Sequence, residues 1–349
     1  MRVFVFKPDG IGDFVLSTGA IRALGREYGE ENLIICVREV LVPLAREQFP
    51  VATIWPLPVA LKRKVLNLFL RNFLACVPLW FRMRCHPVDI SVCLRGLRNY
   101  LETSLFYSIP AKRYVSWENH LCRGKRVRGA VENVLTRVFR SELVEYPEPP
   151  CAVPLEIEAF RRVVSRAVGR EIAVADVMPK LRARIVPTDK PVWICAPITE
   201  KSKVYPLEKW VEAFSSLRAE LDGRTLLLVG SEDQKPKLVE FAAALNAAGI
   251  TQANVFIPAN LVAFLEWIAA AEIVFTVDTA AAHFATALNQ RCIVAYSGLH
   301  AGMFAPWQSS DRQAWLLAEP RPRKKSHWHK AIAPERIASE ARRVLALSK

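Results

Sequence analysis

From Val192 onward one pattern repeats. Short apolar runs, VWICA (Val192 to Ala196), TLLLVG (Thr225 to Gly230), EIVFTV (Glu272 to Val277) and CIVAYS (Cys292 to Ser297), alternate with stretches of helical periodicity. After Pro206, Leu207, Trp210, Val211, Phe214, Leu217 and Leu221 fall on one helical face, and further helices are expected from about Lys235, Leu261 and Thr279. A short strand near Asn254 to Ile257 fits the same series. Strands that are oily throughout cannot turn one face to water. They belong in a parallel sheet with helices over both faces.

The first half alternates less cleanly. Strands are expected at Val3 to Phe6, Asn32 to Val37, Ala52 to Trp55, Asp89 to Leu94 and Arg113 to Val115. A chain of 349 residues exceeds one ordinary core. We therefore expect an α/β protein of two doubly wound, Rossmann-like domains facing a cleft. The N-terminal domain would span residues 1–170 and the C-terminal domain 171–349, joined near a basic helical segment (Phe160 to Val168) and several prolines. A final helix, Pro334 to Leu347, could pack back on the N-terminal domain. Ligands in such domains sit at the carboxyl ends of the strands.

Charge narrows the partners. The net charge is +14 and the pI about 9.6, which favours an anion: phosphate, acidic saccharide, lipid headgroup or nucleic acid. A nucleic-acid or membrane-surface binder without catalysis is the reading from another class. The nucleic-acid form needs aromatic platforms interleaved with the charge, and no such motif occurs, so no nucleic-acid partner is expected. His327 and His329 form an H-x-H pair without further ligands nearby, and no metal site is expected. Eight cysteines without a C-x-x-C pair suit reduced thiols and a cytoplasmic location. Arg2, Lys7 and Asp9 interrupt any secretion-signal core at the N-terminus. The longest oily stretch, Val65 to Phe81, carries Arg71, Asn72 and Pro78 and is too interrupted to span a bilayer. It reads as a helix with a wide buried face, or as a basic apolar helix resting on a membrane surface.

Four stretches could carry chemistry. In FKPDGIGDFVLSTGAIRAL a strand, a Gly-containing loop and a helix follow one another, which lets a ligand approach backbone N–H groups. Asp13 stands at the helix start, where a carboxylate also serves as a cap. In TVDTAAAHFATALNQ a strand ends at Asp278 and Thr279, and a helix of small residues follows. A diphosphate can come close there, Asp278 can accept from sugar hydroxyls, and His283 lies one turn in. In APITEKSKVYPLEKW both Thr199 and Lys203 could reach a phosphate. In LVGSEDQ, Glu232 and Asp233 follow a strand, a common place for a ribose contact and also for a helix cap.

Taken in order, these stretches resemble glycosyltransferase family 9, the heptosyltransferases of lipopolysaccharide core synthesis. KPDGIGDFVLSTGAIRAL resembles its N-terminal signature, and VDTAAAHFATAL its strand, Asp-Thr-Gly, helix signature. TEKSKVYP resembles its Thr, Lys, Trp-Pro loop, and VDISVCLRGLRNYLETSLFYSIPAKRYV a further segment with the strand after it. The resemblance covers nearly the whole chain. It implies a GT-B fold, a nucleotide-sugar donor (ADP-heptose) held by the C-terminal domain, and an acceptor held by the N-terminal domain. It implies inversion at the anomeric carbon, without a metal or other cofactor.

Carried over, Asp13 becomes the general base and Gly12, Thr199, Lys203, Glu232, Asp278, Thr279, Ala280 and His283 surround the donor. Ala280 stands where the family usually has glycine, Tyr205 where it has Trp, and Ile198 where a second Thr is frequent. Another nucleotide sugar, with a hexose or N-acetylhexosamine, is the alternative donor.

The chemistry is self-consistent. An inverting displacement needs one base for the acceptor hydroxyl. The leaving diphosphate needs positive charge, which Lys203 and the helix start at Thr279 can supply. A lipid-linked, acidic inner-core acceptor would use the basic balance of the chain. Lys62, Arg63, Lys64, Arg95, Arg98, Arg113, Arg123 and Arg126 are the candidate contacts. The oily basic helix would then bring the enzyme to the cytoplasmic face of the inner membrane.

Overall fold

A computed structural model describes residues 1–58, 66–95, 100–118, 134–199, 203–307, 310–317 and 325–347. The chain forms two compact units, Met1–Lys180 and Leu181–Lys349. Each is built on a parallel sheet of six described strands, the α/β architecture expected from the apolar runs.

The first sheet contains β1 (Val3–Lys7), β2 (Leu33–Arg38), β3 (Thr53–Leu57), β4 (Val88–Cys93), β5 (Ala111–Trp117) and β6 (Glu142–Val144), in the order β3-β2-β1-β4-β5-β6. β1 is wholly buried because both faces are covered, and even its terminal Lys7 is 0% exposed. Pro56 sits in β3, an edge strand, where its missing N–H costs no ladder bond.

The first helix, Ile11–Tyr28, runs back along the sheet. Its Gly19 has no room for a side chain, since a Cβ would stand 2.1 Å from the Val177 carbonyl oxygen. The short helix Val174–Val177 therefore belongs with the first unit, which extends to Lys180. The helix Leu155–Val168 ends at Gly169, whose φ of 83° is the left-handed cap that glycine adopts without strain.

The oily stretch near Val65 forms the helix Leu66–Arg84. Cys76, Leu79 and Met83 face the core, while Leu74 and Phe81 are exposed together with Arg82 and Arg84. No described helix is long and apolar enough to cross a membrane.

The second sheet contains β7 (Val192–Ala196), β8 (Thr225–Val229), β9 (Ala253–Phe256), β10 (Ile273–Val277), β11 (Cys292–Tyr296) and β12 (Gln313–Leu317), in the order β12-β11-β10-β7-β8-β9. The helix Leu207–Ser216 buries Trp210, Ala213 and Phe214. The closing helix Pro334–Leu345 places Ile337, Ala338, Ala341 and Val344 in this unit's own core. In both sheets the first strand lies between two crossovers that run in opposite directions. β1 stands beside β2 and β4, and β7 beside β8 and β10. These are the topological switch points, where open α/β sheets bind ligands at the carboxyl edge.

Candidate active site

At the first switch point the residues after β1 meet those after β4. Lys7 ends β1 completely buried. Its Nζ donates to the Leu94 carbonyl at 2.7 Å and pairs with Asp9 Oδ2 at 2.7 Å. Asp9 also pairs with Arg95 Nη1, and Arg95 Nε reaches Glu102 Oε2 at 3.1 Å. Asp13 is the third residue of the first helix, and Gly12 precedes it in the same turn. Gly10, the N-cap, has an ordinary extended φ of −75°, so no backbone strain demands glycine there. A Cβ at Gly10 would instead stand 3.5 Å from Asp13 Oδ2, against the carboxyl itself.

Two cations, Lys7 and Arg95, thus share a buried region with four carboxyls: Asp9, Asp13, Glu102 and Glu156. Burial holds the Asp13 carboxyl above its usual range and the Asp9 charge adds to the rise. Lys7, Arg95 and a hydrogen bond from the Gly10 backbone pull the other way. Burial also raises Glu156, to about 7, against the pull of Lys7 and with the help of the Asp9 and Asp13 charges. A carboxyl that holds its proton more tightly than usual is a better base once it is ionised.

Of the cations expected to meet an acceptor, the structure brings Arg95 to this edge. Arg113 is elsewhere. It is in register with Ile90, which is in register with Val3, four residues before Lys7 and so about 13 Å back along the sheet. Its guanidinium bonds both Glu142 oxygens, at 2.7 and 3.2 Å, and the Ala167 and Arg166 carbonyls. That ties β5 to β6 and the helix Leu155–Val168. Lys62, Arg63, Lys64, Arg98, Arg123 and Arg126 lie outside the described residues.

At the second switch point the loop after β7 meets the turn after β10. Lys203 Nζ pairs with Asp278 Oδ2 at 2.8 Å, and Asp278 is 6% exposed. Thr276 donates its hydroxyl across the strands to the Ala196 carbonyl at 2.9 Å. Its oxygen is 3.0 Å from the Thr279 hydroxyl, which is thereby left to donate. Thr279 stands at the N-cap position of the helix Ala280–Ala287, without a capping bond from its side chain, and Ala280 is the first helical residue. Thr199 is half-buried, three residues past β7 on the same edge. Glu232 follows β8, two strand spacings or about 10 Å from β10. It is exposed and accepts from Lys235 Nζ at 3.2 Å.

His283 is buried in the helix Ala280–Ala287. The Trp307 indole N–H donates to its Nδ1 at 3.3 Å, so the ring proton belongs on Nε2. Burial depresses the His283 pKa to about 4; Asp278 opposes this and Lys203 adds to it. The ring is therefore a neutral donor near pH 7. The depressed value also means that stability present above pH 6.5 is lost as pH falls through about 4. Imidazole nitrogen resonances should show His283 as the neutral Nε2–H form down to about pH 5, and a midpoint above pH 6 would refute this. Trp307→Phe should release the Nδ1 lock and let both tautomers appear.

Sequence reasoning did not assign roles to Lys7, Asp9, Glu102, Glu156 or Trp307. A lysine closing the apolar run VFVFK is the one local signal among them. Tyr205 and Ile198, two departures from the family pattern, prove to be packing residues. Tyr205 is fully buried and donates to the Ile332 carbonyl at 3.0 Å, and Ile198 packs on the same core.

Residues 122–331 match the profile of glycosyltransferase family 9 (heptosyltransferase). Among solved structures, E. coli ADP-heptose LPS heptosyltransferase II superposes with a TM-score of 0.70 at 18% identity, covering 99% of this chain and 98% of that one. The family 9 glycosyl transferase from Veillonella parvula gives 0.70 at 11% identity, over 99% and 97%. E. coli heptosyltransferase WaaC with ADP gives 0.69 at 16% identity, over 97% and 98%. Identities this low speak for the fold. No curated protein matches by sequence.

Proposed function

The chain belongs to glycosyltransferase family 9, and on that premise we propose that it transfers heptose from ADP-heptose to an acidic, lipid-linked saccharide of the lipopolysaccharide inner core. The transfer is a single displacement that inverts the anomeric carbon and uses no metal. The observation that carries this reading is Asp13, a carboxyl at a switch point whose affinity for protons is raised by its surroundings. Asp13 takes the proton of the acceptor hydroxyl as the new bond forms.

The donor lies along the carboxyl edge of the second sheet. Lys203 and the N-terminus of the helix Ala280–Ala287 stabilise the diphosphate as it leaves. Asp278 and Thr279 hold sugar hydroxyls or phosphate oxygens, and neutral His283 donates. Glu232 and Thr199 take the ribose and phosphate ends. About 10 Å between β10 and β8 suits the span from diphosphate to ribose. Arg95 serves the acidic acceptor. The exposed Leu74 and Phe81, flanked by Arg82 and Arg84, suit peripheral contact with the cytoplasmic face of the inner membrane.

Thermal unfolding with ADP, UDP, GDP and dTDP tests the donor, because a ligand bound only by the folded state raises stability by mass action. A shift with ADP alone supports the proposal. A shift confined to UDP or another nucleotide keeps the family and replaces the donor, a result that Ala280 in place of glycine would help to explain. No shift with any of them would overturn the donor site.

A further inference from the structure

Glu156 is the second residue of the helix Leu155–Val168 and is 9% exposed. The mechanism above makes no use of it. A buried carboxyl is costly unless its charge is compensated or it keeps a proton. Its surroundings explain how the cost is met. Phe160 lies one turn further along the same helix face, and Lys7 Nζ sits 4.7 Å over the Phe160 ring. Glu156 therefore faces Lys7. Tyr146 donates its hydroxyl to Glu156 Oε2 at 3.1 Å. Trp117 packs against both Tyr146 and Phe160, closing the carboxyl in with aromatic rings. The charged and titratable groups around Glu156 are Lys7 from β1, Asp9 from the loop after it, Asp13 from the first helix and Tyr146 from the segment after β6. Arg95 and Glu102 stand beyond Asp9.

We propose that Glu156 is a positioning residue for the base: it and Asp13 draw on the same cation, Lys7, and Glu156 holds the proton that allows Asp13 to keep its charge. This rests on the reading of Asp13 as general base. Two carboxylates served by one buried lysine, which Asp9 already shares, cannot both ionise cheaply. The elevated proton affinity of Glu156 fits this division. When Glu156 does ionise, the added negative charge makes Asp13 a stronger base. The enzyme thus gains transfer rate as pH rises through neutrality, beyond the gain from ionising Asp13 itself.

Two measurements on the full-length enzyme test the proposal. The first is the transfer rate from pH 5 to 9. Wild type should show a second rise centred near pH 7. Glu156→Gln, which mimics the protonated form, should lose it, lowering the ratio of rates at pH 8 and pH 6 by about three-fold. Tyr146→Phe removes a hydrogen bond to the charged form and should move the second rise to higher pH.

The second measurement is the melting temperature over the same range, which needs no catalysis. A group whose folded-state pKa is raised contributes stability at low pH that is lost as pH rises through the folded value. His283 contributes the opposite slope below pH 6.5 in both proteins, so the readout is the difference: relative to Glu156→Gln, wild type should lose stability as pH rises through about 7. Asp13→Asn should move the loss to lower pH, because Glu156 no longer faces the Asp13 charge. Rate and melting profiles of Glu156→Gln that parallel wild type would overturn the proposal. So would an Asp13→Asn melting profile that leaves the Glu156 transition in place. If Asp13→Asn retains turnover, the base assignment fails first, and the rate measurement alone reveals it.

Discussion

Asp13→Asn is expected to lower kcat by roughly 10²- to 10⁴-fold, the range for loss of a positioned proton acceptor. ADP affinity should stay within about two-fold of wild type, because the residues proposed to hold the donor belong to the other sheet. A third expectation separates catalysis from folding. The Asp13 carboxyl is held above its usual range by burial first and by Asp9 second. Its charged form is therefore disfavoured in the folded protein, and the stability it contributes at low pH is lost as pH rises past its folded value. Asparagine has the shape without the charge. At pH 8 the variant should melt at or above the wild-type temperature while turning over hardly at all. A residue kept at a cost to stability is one retained for function. Near-normal transfer by Asp13→Asn would remove it from the mechanism. A variant that is inactive and also melts far lower would point to a structural role.

The fold was largely legible because its strands are buried on both faces. VFVFK, VWICA, IVFTV and CIVAY are short, apolar and mostly rich in β-branched or aromatic residues, the signature of a strand covered on both faces, and the structure has each of them fully buried. β6 and β12 escaped notice for the opposite reason. β6 is only three residues long with Leu143 exposed, and β12 is an edge strand whose short apolar run after Gln313 leaves Trp315 and Leu317 partly exposed. Asp13, Lys203 and Asp278 were legible as candidates because each follows a strand that could be read, and a strand's carboxyl end is where a ligand belongs. The partners of Asp13 were not. Glu156 sits in LEIEAFRR, where charges at close spacing look like a solvated helix face. Only the tertiary packing turns that carboxyl toward Lys7. Arg113 shows the complementary limit. A basic residue in a predicted strand suits anion binding, but which end of the strand it occupies depends on register, and register depends on neighbours far along the chain.

Lys203→Ala should weaken ADP binding by roughly 10- to 100-fold, the equivalent of one charged hydrogen bond of about 1.5–3 kcal/mol. It should also lower the melting temperature of the free enzyme. Both effects follow from one distance. Lys203 Nζ stands 2.8 Å from Asp278 Oδ2, and Asp278 is almost fully buried. Removing the lysine strands a carboxylate in a region of low polarity, and that costs more than the pair was worth. A diphosphate then meets an uncompensated negative charge at the start of the helix Ala280–Ala287, where it should meet a positive one. Asp278→Asn distinguishes the two contributions. It leaves Lys203 free to bind phosphate while removing the stranded charge, so ADP affinity should hold or rise even as sugar recognition, and with it transfer, is lost. In Lys203→Ala the His283 pKa should rise from about 4, since the lysine charge helps to depress it while Asp278 remains. ADP affinity unchanged in Lys203→Ala would mean that the pair with Asp278 is structural and that the diphosphate lies elsewhere along the sheet edge.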